Sequence, residues 1–219
     1  MEISAQIKIF QKLHNVPRET IDQFTEYHNL LIKNQEKTNL IGSGTTSTIW
    51  IRHFSDSVKL TDRIISYKNN ANSIVRVCDV GSGAGFPGLA CFLMLSSQKH
   101  QIKMTLIESN RKKCEFLTLV KDKLMLPVSI INERVERIKK KYDILLSRAV
   151  APLHILLGLL APLSKKDTIL LLPKGKSYSK EIEKAKKLWN FSYKVVNNNH
   201  LLDKSGGVTL EIINLKKIN

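Results

Sequence analysis

Apolar and polar positions divide this chain into a helical first third and an alternating remainder. Ile7, Ile9, Phe10 and Leu13 form a short apolar face that ends near Pro17. From Pro17-Arg18-Glu19-Thr20 a longer helix starts, with Ile21, Phe24, Tyr27, His28, Leu31 and Ile32 at helical spacing. That stripe is read as the face that packs an N-terminal extension onto the rest. Gly42-Ser43-Gly44 reads as a loop, and Ile49 to Ser57 begins another amphipathic helix. Arg52, His53 and Asp56 lie there, either in a surface network or facing a ligand cleft. Asn69 to Ser73 is the linker that follows. The pattern therefore separates a helical extension, 1–70, from a second unit, 71–219.

After the linker the period changes. Val75 to Val80 is apolar and β-branched, which reads as a buried strand. It ends at Asp79-Val80 and runs into Gly81-Ser82-Gly83-Ala84-Gly85-Phe86-Pro87-Gly88. Leu89 to Leu95 is then continuously apolar, with Pro87 where a first helical turn tolerates proline. Further strands are read at Met104 to Ile107, Val128 to Ile131, Tyr142 to Leu146, Thr168 to Leu172, Phe191 to Val196 and Val208 to Ile213. Helices fall between them, opened by Asn110-Arg111-Lys112-Lys113, by the leucine-rich stretch after Ala149, and by Lys180 to Leu188. The last two strands are expected to form a hairpin. Seven strands in this order fit a Rossmann-like α/β sheet of the class I S-adenosylmethionine-dependent methyltransferase type, its last strand antiparallel.

The glycine turn is where such sheets bind nucleotide-like ligands. A dinucleotide fingerprint reads Gly-x-Gly-x-x-Gly, and this turn reads Gly81-x-Gly83-x-Gly85, permitting positive φ and close backbone approach. A carboxylate at Asp79 sits badly beside a pyrophosphate and suits a cationic ligand. Glu108, at the end of the next strand, is placed to accept ribose hydroxyls. Together these residues point to S-adenosylmethionine.

Composition changes the picture in one respect. The chain has 219 residues, with 35 Lys+Arg against 19 Asp+Glu and a formal charge of +16. Such an excess favours a polyanionic partner, because neutralising phosphates releases counterions, although a lysine-rich composition alone contributes. Cys78, Cys91 and Cys114 form no CxxC pair and imply neither a disulfide framework nor a metal cluster. The amino terminus has no signal-peptide pattern, and no apolar run is long enough to span a bilayer. A cytoplasmic protein without a membrane partner is expected.

Several motifs, taken together, resemble the bacterial 16S ribosomal RNA guanine-N7 methyltransferase family, also called glucose-inhibited division protein B. They are Thr38-Asn39-Leu40-Ile41 with Arg52-His53-Phe54-Ser55-Asp56-Ser57, the loop from Asp79 to Gly88, Glu108-Ser109-Asn110-Arg111-Lys112-Lys113, Arg134-Val135-Glu136, Ser147-Arg148-Ala149 and Lys174-Gly175. The resemblance covers nearly the whole chain. It implies cofactor contacts at Gly81, Phe86, Val135, Glu136 and Arg148, with Glu108 at the ribose. It also implies a guanine target in the 530-loop of 16S ribosomal RNA, on the 30S subunit, and a monomeric enzyme is expected. One departure stands near the end, where many relatives carry a basic residue just before the last strand. This chain reads Ser205-Gly206-Gly207-Val208-Thr209, and Lys204 is the candidate replacement.

The chemistry agrees with that implication. Guanine N7 carries a lone pair and no hydrogen, so no base is needed to free it, and alignment supplies much of the rate. Enzymes that methylate exocyclic amines usually carry an Asn/Asp-Pro-Pro-aromatic motif after the fourth strand, whereas this chain has Ser147-Arg148-Ala149. Cytosine-C5 enzymes need a nucleophilic cysteine at this edge, and none of the three is placed for it. Arg148 is expected to orient base or cofactor, its guanidinium matching the guanine O6 acceptor. Lys174 and Lys176 are candidate phosphate or base contacts, and Arg52 and His53 rank below them. The runs Arg111-Lys112-Lys113 and Lys139-Lys140-Lys141 read as solvated faces that add long-range attraction. A methyltransferase for a small molecule or protein, and a non-catalytic RNA-binding module, are the competing readings.

Overall fold

The β-branched run that follows the linker forms the centre of a seven-stranded sheet. The computed structural model describes residues 1–69, 74–197 and 207–218. Of the expected linker, Asn69 ends a helix and residues 70–73 lie outside the described residues, as do residues 204–206. Strands β1 (Val75–Val80), β2 (Ile102–Glu108), β3 (Ser129–Asn132), β4 (Tyr142–Leu146), β5 (Ser164–Lys174), β6 (Trp189–Asn197) and β7 (Val208–Lys217) are ordered β3-β2-β1-β4-β5-β7-β6. β1 to β5 pair in parallel, and β7 runs antiparallel between β5 and β6. This is the sheet that the sequence leads one to expect.

Helices cover both faces, because each β1 residue alternates sides. Val75 and Val77 pack with α5 (Gly88–Ser97) and α6 (Arg111–Lys123), while Cys78 and Val80 pack with α7 (Leu153–Leu160) and α8 (Tyr178–Lys186). Helix α5 is buried from Gly88 through Leu95, which explains why its sequence shows no polar stripe. Its outer side is closed by the N-terminal extension, made of α1 (Ile3–His14), α2 (Arg18–Thr38), α3 (Asp56–Val58) and α4 (Thr61–Asn69). Phe10, Phe24, Leu31, Trp50 and Phe54 of the extension share one hydrophobic cluster with Leu89, Leu93 and Leu117. Burying each such side chain contributes about 1.5–3 kcal/mol.

Several local details differ from the sequence pattern. Pro87 occupies the N-cap of α5 rather than its first turn. The segment after Gly42 is a 3₁₀ helix, Ser43–Thr48, and the next turn, Trp50–Ser55, is π-helical. Strand β5 starts at Ser164 instead of Thr168, since pairing with Tyr142 through an irregular register extends it over polar Lys165-Lys166-Asp167. Strand β7 continues to Lys217, its half-exposed end held by pairing with β6 rather than by apolar burial.

Candidate active site

Parallel strands bring four loops to one edge of the sheet. Gly81 follows β1, Glu108 ends β2, Asn132 ends β3, and Ser147-Arg148 follows β4. Ser147 Oγ donates to the Val80 carbonyl at 2.9 Å, fixing the start of the β4 loop beside the glycine turn.

Gly81, Gly83 and Gly85 all have positive φ, at 72°, 58° and 95°. At Gly81 a Cβ would lie 2.3 Å from Val150 Cγ2, so the β4 loop packs directly on the glycine backbone. Both Gly81 and Ser82 donate their N–H groups to the Ile107 carbonyl. Glu108 accepts from Gly83 N at 2.9 Å through Oε2 and from Asn110 N at 2.8 Å through Oε1. The expected ribose acceptor is therefore held against the glycine turn by two backbone donors. Asn110 also caps α6, taking the Lys113 N–H.

Asp79 is fully buried under the loop. Its Oδ2 accepts from Ser82 Oγ at 2.7 Å and Gly88 N at 2.9 Å, tying the two ends of the turn together. Its Oδ1 has no hydrogen-bond partner among the described residues. Burial raises its pKa from 3.8 to about 6, against the opposing hydrogen bonds and the charge of Arg148. Left-handed glycines, a carboxylate at the end of β2 and an unmatched buried carboxylate oxygen fit S-adenosylmethionine, which offers a ribose diol and cationic groups. Val135 and Glu136 form a short 3₁₀ turn after β3, half-buried and exposed respectively, at the same edge.

The N-terminal extension reaches this edge from the other side. Tyr27 of α2, fully buried, donates its hydroxyl to the Ala84 carbonyl inside the glycine turn. A Cβ on Gly85 would collide with that hydroxyl. Phe86 turns its ring into the extension, stacked on Tyr27 with centroids 5.6 Å apart and 4.9 Å from the His53 ring. Its side chain thus braces the loop. Arg148 lies over the Phe86 ring, 5.9 Å from the centroid.

Arg148 is the joint between the two halves. Its Nη1 donates to the Arg52 carbonyl at 3.0 Å, and its Nη2 donates to His53 Nδ1. A guanidinium only donates, so His53 Nδ1 is the acceptor and its proton sits on Nε2, which donates to Thr45 Oγ1 at 2.8 Å. Burial, then the charges of Arg148 and Arg52, lower the His53 pKa from 6.5 to about 3. His53 is consequently a neutral ring with its lone pair engaged, a poor general base and a good positioning group. Desolvation also lowers the Arg148 pKa, opposed by Asp56 and Asp79.

Arg148 borders a cavity of about 870 Å³ between the extension and α7–α8, also lined by Arg52, His53, Asp56, Lys174, Lys180 and Lys184. The cluster left open by the sequence, Arg52-His53-Asp56, therefore faces a cleft. Lys174 is different from expectation. Its side chain is only 8% exposed and its ammonium bridges Glu181 Oε2 at 2.9 Å and the Ala151 carbonyl at 3.1 Å. Glu181 in turn accepts from Leu153 N at the start of α7. Lys174 thus ties α7 to α8 at the cavity wall. Lys176 is exposed and does not line the cavity.

The sequence pattern missed Tyr27, Thr45 and the Lys180/Lys184 wall. A tyrosine within an apolar helical stripe was the one available signal, since its hydroxyl needs a partner when buried. The π-helical turn that presents Arg52 and His53 is of a kind frequent at functional sites.

Known proteins resemble this chain in fold and in sequence. The magnesium protoporphyrin IX methyltransferase of Synechocystis PCC 6803, solved with bound SAM, superposes with a TM-score of 0.56 at 11% identity, over 85% of this chain and 96% of that one. A TehB-like SAM-dependent methyltransferase from Corynebacterium glutamicum superposes at 0.53, with 11% identity, over 85% and 98%. These two share the fold. Ribosomal RNA small subunit methyltransferase G of Orientia tsutsugamushi (strain Ikeda) is 39% identical, over 83% of this chain and 86% of that protein. The protein of the same name from Bartonella quintana (strain Toulouse) is 33% identical over 99% and 98%. The family profile described as GidB, rRNA small subunit methyltransferase G, matches residues 20–208. By sequence over nearly its whole length, and by a fold built around the glycine turn, this chain belongs to the rRNA small subunit methyltransferase G family.

Proposed function

We propose that this chain transfers a methyl group from S-adenosylmethionine to N7 of a guanine in the 530-loop of 16S ribosomal RNA, as a cytoplasmic monomer acting on the 30S subunit. The observation that carries the reading is the Arg148 joint. A fixed guanidinium stands between the glycine turn and the cationic cavity, and the His53 imidazole beside it has its Nδ1 lone pair engaged.

When bound, the cofactor supplies a methyl group made electrophilic by a sulfonium. The residues of the chain do the rest. Gly81, Gly83 and Glu108 offer backbone and carboxylate to the nucleoside end, and Asp79 holds negative charge beneath the turn. Among described residues, no helix is long and apolar enough to cross a membrane. Arg148 offers donors to an acceptor edge such as guanine O6, and His53 and the Arg52 carbonyl keep it from rotating. N7 is already a lone pair, so the engagement of the His53 lone pair by Arg148 withholds nothing that this transfer needs. Aligning the two reactants is worth several kcal/mol of barrier, up to about 7–11 kcal/mol for a well-held pair.

The test is positional. Unmodified 30S particles are incubated with the protein and labelled S-adenosylmethionine, and the label is located by nuclease digestion and fragment mapping. Label confined to the 530-loop is expected, and Arg148→Ala should abolish it. Cofactor binding without transfer to 30S particles or 16S RNA would favour a small-molecule or protein substrate.

A further inference from the structure

The cations around the cavity fall into two groups. Arg148 and Lys174 are anchored to protein acceptors, Arg148 through two of its five N–H groups on the Arg52 carbonyl and the His53 ring, Lys174 on Ala151 and Glu181. Lys180 and Lys184 are not. Both project into the cavity from α8, and neither has a hydrogen bond or ion pair among the described residues. They are four residues apart, so they share a helix face, where like charges repel and weaken the helix. The only carboxylate of α8 at the cavity, Glu181, is occupied by Lys174 and the Leu153 N–H. With neither lysine ion-paired, this face presents two cations to the cavity and is suited to receive an anion. A cavity of about 870 Å³ is of ligand size and far larger than one anion needs.

We propose that the α8 face carrying Lys180 and Lys184 is the phosphodiester-binding wall of this cavity, gripping the RNA strand beside the target nucleotide. The inference rests on the proposed function and adds where the backbone of the RNA runs. Base-directed groups, Arg148 foremost, lie on the glycine-turn side of the cavity. Backbone-directed groups lie across it on α8. Such a division is general in nucleic-acid recognition, where phosphate contacts set register and other contacts specify the base.

The experiment compares Lys180→Gln/Lys184→Gln with wild type in methyl transfer to unmodified 30S particles, over a range of salt concentrations. Lys139→Gln/Lys140→Gln is the control, removing equal charge from exposed positions that precede the amino end of β4 and do not line the cavity. Losing two phosphate contacts should flatten the slope of log KM against log salt by about 1.4. Extrapolated from 1 M to 0.1 M salt, that is about a 25-fold rise in KM at 0.1 M, with kcat and S-adenosylmethionine affinity unchanged. Lys180→Arg/Lys184→Arg should restore the slope. A slope for the variant no flatter than the control's would overturn the proposal while leaving the proposed function intact. Absence of transfer by the wild type would instead refute the proposed function.

Discussion

Gly85→Ala tests whether the extension is part of the cofactor loop's support. Gly85 has φ of 95°, and an alanine there carries about 1–2 kcal/mol of backbone strain. Its Cβ would stand 2.2 Å from the Tyr27 hydroxyl and 2.9 Å from Leu89 Cβ, so Tyr27 must withdraw. Withdrawal strips the Ala84 carbonyl of its buried donor, costing about 1–3 kcal/mol more. The sum, about 2–5 kcal/mol, is a large fraction of the stability of an ordinary domain. Tyr27→Phe alone should cost about 1–3 kcal/mol for the same unmet carbonyl. In the double variant the clashing hydroxyl is gone and the hydrogen bond is lost only once. Its cost should therefore fall short of the sum of the single costs by about 1–3 kcal/mol. Urea unfolding of all four proteins, followed by tryptophan fluorescence and fitted with a common slope, measures the cycle. Single costs that add within about 0.5 kcal/mol would refute the contact between α2 and the glycine turn.

Other perturbations read other parts of the site. Asp79 holds its proton up to about pH 6 when folded against 3.8 otherwise, so it favours the folded state at low pH. That contribution, about 3 kcal/mol, is lost as pH rises from about 4 to 6, and Asp79→Asn should remove the loss from denaturation curves taken across this window. Ionising Asp79 also favours a cationic ligand, so S-adenosylmethionine affinity by calorimetry should rise through about pH 6 in wild type and stay flat in Asp79→Asn. His53 acts with the opposite sign. Neutral when folded down to about pH 3 but protonated below 6.5 when unfolded, it costs stability as pH falls through that range, and His53→Gln should flatten the fall. Lys174→Met should destabilise by about 1–3 kcal/mol by leaving Glu181 with the Leu153 N–H and no charge partner, and Lys174→Met/Glu181→Gln should recover part of that in thermal melts; if Lys174→Met lowers kcat at unchanged stability, the lysine acts on substrate instead.

Much of this was legible in the residues because backbone constraints leave strong marks. A β-branched run, three glycines and a continuous apolar helix admit few arrangements, and Asp79 and Glu108 sit where strand order requires. The Arg148 position was readable because strand ends of a parallel sheet converge. What could not be read depends on tertiary contact. Lys174 looks like a free loop lysine until β5 and α8 bring Glu181 to it. Tyr27 looks like core until its hydroxyl meets Ala84, more than fifty residues away in sequence. Strand β5 begins earlier than its polar residues indicate because Tyr142 pairs with Ser164.

The central claim concerns an atom. Unmodified 30S particles methylated with labelled S-adenosylmethionine can be digested to nucleosides and separated against standards. 7-Methylguanosine as the single labelled nucleoside, absent with Arg148→Ala at unchanged fold, is the predicted result. Label in a methylated amine or in a different base would show that the Arg148–His53 joint positions some other nucleophile, and would contradict the account.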